Sequence, residues 1–538
     1  MQKNSKQELS DRKLIQAPTE RNLIEMTIDH RKKYAYQKKL MWNKKLYTSL
    51  ICLLLVLSSV AQTNKSNLVS FTGTLLDENT NAPLPYANIV IVGQNKVIPT
   101  NEKGYFLIKN VDKSDSLNFN YIGYEQKKIC VCDLQQGSTV YLKEQIISLN
   151  EFFVFSKDYD AKEIVKNVLK NKEENYKSTS AKKQLFVRHR YISNIDKVKI
   201  NFKKSSFTHL DEKMTQLVEK KIPKQSISYT DFFGDVYTSN QADAKLKLNP
   251  IKVVRLNDKN FSDLEQLEKV FTKLFSNTKE NEYWKLKSGI IGGKIDNEIT
   301  DNETDLDSLS NFNKYNFMVM SYAERLQKRF DNIIEDKKKW DFLHNTGNYE
   351  YTLVGGTKVN GEDVYIIDFK PKKNGDLIGK IFITTKTNAM VKADFKYDVG
   401  KTGTNINLFG VGYTLNQLDI SIYFEKQENN YVLKYYAQKT GNRIRFDRNV
   451  SLIKKKERFL VDKKLNEIKV GLNMVSREEN SFEAFFINHT NINHEVYKNF
   501  NQPSLFNIIY VDQFNDDIWK GYDIIEPTKQ MRDYKKIE

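Results

Sequence analysis

The sequence is poor in glycine and proline, and several common signatures are missing from it. Its 538 residues include 22 glycines and 9 prolines, which excludes a collagenous or disordered chain. It contains neither the Gly-x-Ser-x-Gly elbow of hydrolases nor the Gly-x-x-x-x-Gly-Lys loop that binds phosphates. After residue 61, no segment is long and apolar enough to cross a bilayer as a helix. We therefore expect a folded chain, too long for one core and rich in strand-favouring tyrosine and phenylalanine.

Basic residues outnumber acidic ones, but the two signs alternate along the chain. There are 85 lysines and arginines against 68 acidic residues, a net charge of +17. Because these charges do not collect into a stripe, no nucleic-acid partner is expected. The short basic runs at 337–339 and 454–456 are interpreted as solvated strand or helix ends. Weak attraction to an anionic membrane surface, and hence peripheral membrane association, stays open.

An apolar segment near the N-terminus has the proportions of a cleavable signal peptide. Lys44 and Lys45 precede the apolar run 46–60, and small residues end it at Ala61. The apolar run is shorter than the roughly 20 residues that a membrane-spanning helix needs. Residues 41–61 are therefore predicted to direct export to the periplasm or the outer membrane. Residues 1–40 are polar and charged, and they indicate either a misassigned start, with Met41 as the true one, or a disordered extension.

Residues 68–145 alternate short apolar strands with turn residues, which is typical of a β-sandwich. The order is G-T-L-L-D, A-P-L-P-Y-A-N-I-V-I, T-N-E-K-G-Y-F-L-I and L-N-F-N-Y-I-G-Y-E. This order resembles the carboxypeptidase regulatory-like domain found at the N-termini of many envelope proteins of the Bacteroidetes. The resemblance implies a seven-stranded, transthyretin-like sandwich without catalytic residues.

Two cysteines, Cys130 and Cys132, remain once the signal segment is removed. On a strand, residues two apart point to the same face. This spacing favours two small buried side chains over a reactive pair or a disulfide, because a bond between them would be strained.

Residues 155–345 are predicted to mix helices and strands. One helix is predicted after Asp160 and Glu163, a second after Ser262 and a third after Ser321. Each start is followed by an apolar stripe at helical spacing, which indicates a side that faces the core. For the third helix the stripe consists of Leu326, Phe330, Ile333 and Ile334.

Residues 346–538 are predicted to form a large antiparallel β-meander or half-barrel. Asn360-Gly361 is typical of a tight hairpin turn. The alternation at 391–397 predicts one buried face and one charged face that carries Lys392. The fold class is thus mainly β with helices (α+β), in which a few helices pack on the sheet. Either a dry core around Tyr351, Ile366, Val391 and Phe395 or an apolar pocket is expected there.

The region after the sandwich also resembles the β-rich segment that follows this domain in a set of Bacteroidetes proteins. Residues 351–372 and 379–391 are similar to the curved sheet of periplasmic lipoprotein carriers. The leading hypothesis is a non-enzymatic envelope protein, without a cofactor, that binds a partner protein or a glycan through its β-surfaces. The alternative is a lipid or lipoprotein carrier.

A zinc carboxypeptidase is the least favoured alternative. His209 and Glu212 have the H-x-x-E spacing of two zinc ligands, and His344 lies downstream as a third candidate. The flanking residues do not match the peptidase pattern, and spacing alone does not supply the outer groups that orient metal ligands. Neither catalytic residues nor a metal site are predicted.

The signal pattern generates a prediction about the exported protein. Its N-terminus should lie at or within a few residues of Gln62, and the protein should fractionate with the cell envelope, because signal peptidase cleaves after small residues. N-terminal sequencing of the purified protein tests this. A cytoplasmic species that begins at Met1 would contradict it.

Overall fold

The structure is a computed structural model that describes residues 38, 41, 68–147, 160–257, 278–295 and 316–534, apart from residues 95, 209, 242, 280, 290, 332 and 523. From Val69 onward the described residues form one compact unit. Among them, no helix has both the length and the apolar character needed to cross a bilayer. The predicted signal peptide and the helix predicted after Ser262 lie outside the described residues.

The first seven strands form the predicted sandwich. One sheet has the order β4-β1-β7 and the other β3-β2-β5-β6, and side chains such as Leu75, Ile89 and Phe106 fill the space between them with no exposed area. The strands are β1 (Leu68–Asp77), β2 (Asn88–Ile91), β3 (Val97–Pro99), β4 (Tyr105–Asp112), β5 (Ser116–Asn120), β6 (Lys127–Cys130) and β7 (Ser138–Leu142).

The two cysteines of the sandwich are not buried, so that prediction was wrong. Strand β6 ends at Cys130, and the chain turns into a short 3-10 helix, Val131–Asp133. Cys132 is therefore not on a strand and lies exposed, while Cys130 is half-buried. A disulfide joins the two sulfur atoms.

The rest of the chain is mainly β, with helices on the sheet. The remaining strands are β8 (Ala181–Ser205), β9 (Gln225–Thr238), β10 (Lys247–Asn257), β11 (Glu282–Ser288), β12 (Ile291–Ile295), β13 (Asn316–Met318), β14 (Tyr349–Val359), β15 (Glu362–Pro371), β16 (Leu377–Thr384), β17 (Met390–Tyr397), β18 (Asn405–Leu408), β19 (Val411–Gln427), β20 (Asn430–Lys456), β21 (Lys463–Asn491), β22 (Leu505–Asn507) and β23 (Ile509–Val511). The helices are α1 (Ala161–Lys170), α2 (Lys172–Asn175), α3 (Glu212–Lys221), α4 (Val319–Phe330), α5 (Asp341–His344), α6 (His494–Asn499) and α7 (Lys529–Arg532), and short 3-10 helices lie at Ile333–Glu335, Thr346–Asn348 and Asp516–Trp519.

One sheet of 14 strands contains most of these strands. Its main path runs β14-β15-β16-β17-β19-β20-β21-β8-β9-β10-β23, with β11, β12 and β18 attached to its side. Neighbours on the path are antiparallel except for the parallel pair β10–β23. The segments 155–345 and 346–538 both contribute strands, because β21 pairs with β8 along nearly its whole length. The boundary predicted at residue 345 is therefore not a break in the sheet.

Local signals placed several elements correctly. The side chain of Asp160 caps α1 by accepting from the backbone N–H of Lys162, and Asn360-Gly361 turns the β14–β15 hairpin with φ angles of 48° and 82°. The cap predicted at Ser321 was wrong, because α4 begins two residues earlier at Val319 without a side-chain cap. Leu326 of its predicted stripe is buried, but Ile333 and Ile334 are buried from the separate 3-10 helix that follows, because α4 ends at Phe330.

One face of the large sheet packs against α1, α4 and α5. Ile366, Val391 and Phe395 are buried in this core, and Tyr351 packs half-buried against it. The ring of Trp340 lies 4.9 Å from that of Phe395 and is fully buried. Of the two alternatives left open for these residues, a packed core and an apolar pocket, they form the packed core.

The opposite face of β17 carries charges as predicted, and Lys396 on it is exposed, but Lys392 is buried, which corrects the interpretation of that residue. The sandwich covers the part of the face around Lys392, whose ammonium lies 3.8 Å from the ring centre of Tyr121 and 3.1 Å from Asp394. Only 5% of Lys392 is exposed. Alternation along β17 separated the two faces correctly, but it carries no information about a second domain that packs on the polar one.

The same contact buries a cluster of charges. Tyr86 of the sandwich stacks on Tyr435 at 3.9 Å and donates a hydrogen bond of 2.9 Å to Glu483. Beside them, Arg188 makes two hydrogen bonds to Asp231, at 2.9 and 2.7 Å. Burial, reinforced by the nearby Glu102 carboxylate, raises the pKa of Glu483 to about 7.

Replacing Glu483 should change how stability depends on pH. The pKa of Glu483 in the folded protein lies above its usual value, so the protonated carboxyl group stabilises the folded state. This contribution to the free energy of unfolding is fully present below about pH 4.5 and is lost as the pH rises toward 7. Glu483→Gln keeps an acceptor for Tyr86 but carries no charge. It should raise Tm by several degrees at pH 8 and by much less at pH 5.

Calorimetry at both pH values measures this difference. Glu479→Gln is a matched control, since Glu479 lies on the same strand with 43% of its side chain exposed. Equal shifts in Tm at pH 5 and pH 8 for Glu483→Gln would contradict the prediction.

Candidate functional site

The helix-covered face opens into a cleft beyond the packed core. Its volume is about 800 Å³, and it lies between the sheet, the residues after α2 and the end of α4. Apolar side chains from six elements line one side of it, and polar and charged residues line the rest; the apolar ones are Val236, Phe330, Ile334, Phe424, Leu433 and Phe486. In the described part of the chain, α1 and α5 cover the sheet around β14–β17, whereas the end of α4 and the short α2 border the cleft over β8, β20 and β21.

Lys183 lies in the wall of this cleft, at a position where the strand pattern calls for an apolar residue. It precedes Leu185 and Val187 by two and four residues on β8, so all three side chains share one face of the sheet. The register of β8 against β9 is continuous here and pairs Lys183 with Val236. A lysine within the apolar series of a strand was the signal in the sequence that could have identified this site.

The charge of Lys183 has no counter-ion among the described residues. Its ammonium lies 5.9 Å from the centre of the Phe486 ring, and no ion pair or hydrogen bond joins it to another described side chain. Burial alone lowers its pKa to about 8. Burial and the Lys183 charge also lower the pKa of the neighbouring His489. Four lysines and four acidic residues line the cleft as a whole, so the excess of positive charge is local to Lys183.

The mouth of the cleft is held by polar contacts. Lys172 of α2 forms an ion pair with Glu335 of the adjacent 3-10 helix. Tyr176 donates a 2.9 Å hydrogen bond to the carbonyl oxygen of Met390, and its ring lies 5.0 Å from that of Phe424. These contacts fix the rim and leave the apolar wall open behind it.

The structure does not bring the proposed zinc ligands together as a described site. His209 lies outside the described residues, and Glu212 is exposed at the first turn of α3. His344 ends α5, where its Nε2 is 2.8 Å from the carbonyl oxygen of Ile334. A carbonyl can only accept, so this nitrogen carries the proton and has no lone pair for a metal.

Another group of potential metal donors is Cys130, Cys132 and Asp133, whose ligand atoms lie within 4.8 Å of one another. The two sulfur atoms are joined in a disulfide, which leaves a single carboxylate on an open surface. This arrangement does not form a metal centre.

The sandwich can be compared with known families. Residues 71–154 match the family model of the CarboxypepD_reg-like domain. This segment is a CarboxypepD_reg-like domain. It is a non-catalytic sandwich, and the match ends before the cleft-bearing part of the chain begins. No curated protein matches the chain.

Among solved structures, the matches are distant. The Pseudomonas aeruginosa MucA/MucB complex aligns at 7% identity over 60% of this chain and 93% of the other, with a TM-score of 0.18. A Bacteroides fragilis protein, described as membrane-associated and of unknown function, aligns at 11% identity over 78% of this chain and 97% of the other, with a TM-score of 0.11. At these TM-scores the likeness supports no conclusion about function.

The position of His344 generates a prediction about zinc. The purified protein should carry well below one zinc ion per chain, and His209→Ala should leave the Tm and the zinc content unchanged. Elemental analysis by mass spectrometry measures this. Stoichiometric zinc that is lost in His209→Ala would overturn the prediction.

Proposed function

We propose that this protein is an exported, non-catalytic carrier that binds an amphiphile with an anionic head group in the cleft. The observation behind this proposal is Lys183, a half-buried positive charge that has no counter-ion among the described residues and lies beside apolar side chains of the sheet such as Val236 and Phe486. Export rests on the signal pattern at residues 41–61, which lies outside the described residues.

The size and lining of the cleft suit such a ligand. About 800 Å³ falls within the roughly 300–1,000 Å³ that is usual for small-molecule sites. Phe330, Phe424 and Leu433 can cover an alkyl chain. Each methylene buried against them contributes about 0.8 kcal/mol to binding.

Lys183 supplies the polar end of the site. A partly dehydrated ammonium gains more from an anion than a solvated one, because less water must be displaced when the pair forms. A charge-assisted hydrogen bond of this kind is worth about 1.5–3 kcal/mol. The head group would therefore lie beside β8 and Phe486, with the chain directed toward α4.

The leading hypothesis from the sequence, a scaffold that binds a partner protein or a glycan through its β-surfaces, fits the packed core around Phe395. It does not require a cleft with a half-buried, unpaired lysine. The non-catalytic character of the proposal is supported by the CarboxypepD_reg-like domain and by the lack of hydrolase motifs in the sequence.

Titration with 11-(dansylamino)undecanoic acid tests the carrier. Lys183→Met keeps the length of the side chain and removes its charge, so it should weaken binding of the acid at pH 7 by at least tenfold. Binding of the methyl ester should change by less than threefold. Lys177→Met is the matched control, since Lys177 also lines the cleft but is exposed and paired with Glu174 at 2.8 Å.

The affinity should also depend on pH. With a pKa of about 8, free Lys183 loses its proton as the pH rises, so the affinity for the acid should fall above pH 8 in the native protein but not in Lys183→Met. Fluorescence titration between pH 7 and 9.5 measures this. If the native protein binds neither probe, the carrier proposal is wrong and the scaffold hypothesis is favoured.

A further inference from the structure

Strands β20, β21 and β8 continue far past the packed core. The core on the helix face ends near Tyr436 and Phe482, whereas β20 and β21 stay paired to Lys456 and Lys463. At about 3.4 Å per residue, this extension is roughly 60 Å of strand. Its far end is stiffened by β11 and β12 and by Trp284, which is 1% exposed and stacks on Phe207. We call this extension the finger.

The tip of the finger presents three consecutive apolar side chains to solvent. Phe459, Leu460 and Val461 lie in the turn between β20 and β21, and they are 100%, 87% and 78% exposed. Hairpin turns are ordinarily built from glycine, asparagine, aspartate and other polar residues. Local turn chemistry therefore does not explain these residues.

Basic residues surround the apolar tip. Residues 454–464 contain six lysines and arginines and two acidic residues. Both acidic groups are already engaged: Glu457 pairs with Lys294 at 2.7 Å, and Asp462 accepts a 2.6 Å hydrogen bond from Tyr283. Among the described residues, Lys455, Lys456, Arg458 and Lys463 have no acidic partner within 4 Å. The tip is thus apolar at its end and positive around its base.

From this geometry we infer that the finger inserts its tip into the surface of an anionic lipid bilayer. A protein partner is a poorer fit, because a stable interface needs about 800 Å² on each side and three side chains on a narrow hairpin cannot supply it. Binding to a bilayer requires a smaller apolar surface, because apolar side chains enter the acyl boundary while the surrounding lysines and arginines contact the anionic head groups. This interaction is independent of the cleft and requires no ligand in it.

Vesicle flotation tests the inference, using protein purified from the envelope fraction. The native protein should bind vesicles of phosphatidylglycerol and phosphatidylethanolamine, and high salt should weaken that binding because it screens the charges. The combined change Phe459→Ser, Leu460→Ser and Val461→Ser should weaken binding at least tenfold. Neutral phosphatidylcholine vesicles should bind the native protein at least tenfold less tightly.

A second exposed phenylalanine offers a matched control. Phe409 is 69% exposed in the turn between β18 and β19. This turn lies away from the tip, because nearby Val411 pairs with Phe446, which precedes Lys456 by ten residues on β20. Phe409→Ser should leave binding unchanged, and a far-ultraviolet circular dichroism spectrum should show every variant folded. Failure of the native protein to bind anionic vesicles, or equal binding by the triple variant, would overturn the inference. If the protein does not bind vesicles but forms dimers that depend on the three tip residues, the partner of the tip is a second copy of this chain.

Discussion

The pairing of β21 with β20 on one side and β8 on the other is the interaction on which the rest of the structure depends. These are the longest strands, with 29, 27 and 25 residues, and their backbones hydrogen-bond along nearly their full length. One end of this ladder contributes to both packed faces of the sheet, and the other end forms the finger. Because the pairing resumes after each of its β-bulges, the cleft and the tip belong to the same three-stranded ladder.

A sheet has two faces, and in this protein two different kinds of packing cover them. The helix face is covered by apolar side chains, as expected for amphipathic helices on an antiparallel sheet. The other face meets the sandwich through aromatic rings and charges, among them Lys392, Arg190 and Glu483. Buried charges of this kind contribute little net stability, since desolvation offsets their attraction. Their directional contacts instead fix the orientation of the sandwich.

The packed core and the cleft are two parts of the same face, and the position of the helices separates them. Helices α1 and α5 cover β14 to β17, where residues such as Phe395 have almost no exposed area. Over β8, β20 and β21 the described helices leave part of the face open, and Lys183 lies in the wall of the resulting cleft. The scaffold hypothesis thus rests on the packed part of the sheet, and the carrier proposal rests on the cleft.

The sequence by itself determined what depends on neighbours within a few residues. Asp160 caps a helix, Asn360-Gly361 turns a hairpin, and the turn spacing of residues 68–145 indicates a β-sandwich, whose seven strands the family resemblance implied. Tertiary structure decided what depends on distant residues: that β8 joins β21, that the sandwich buries Lys392, and that Lys183 lines a cleft. Alternation along a strand shows that two faces exist, but it cannot show what covers each face, because those partners lie up to several hundred residues away. The exposure of Phe459 could not be predicted from the sequence either, because an apolar residue is recognised as exposed only once the surrounding strands are in place.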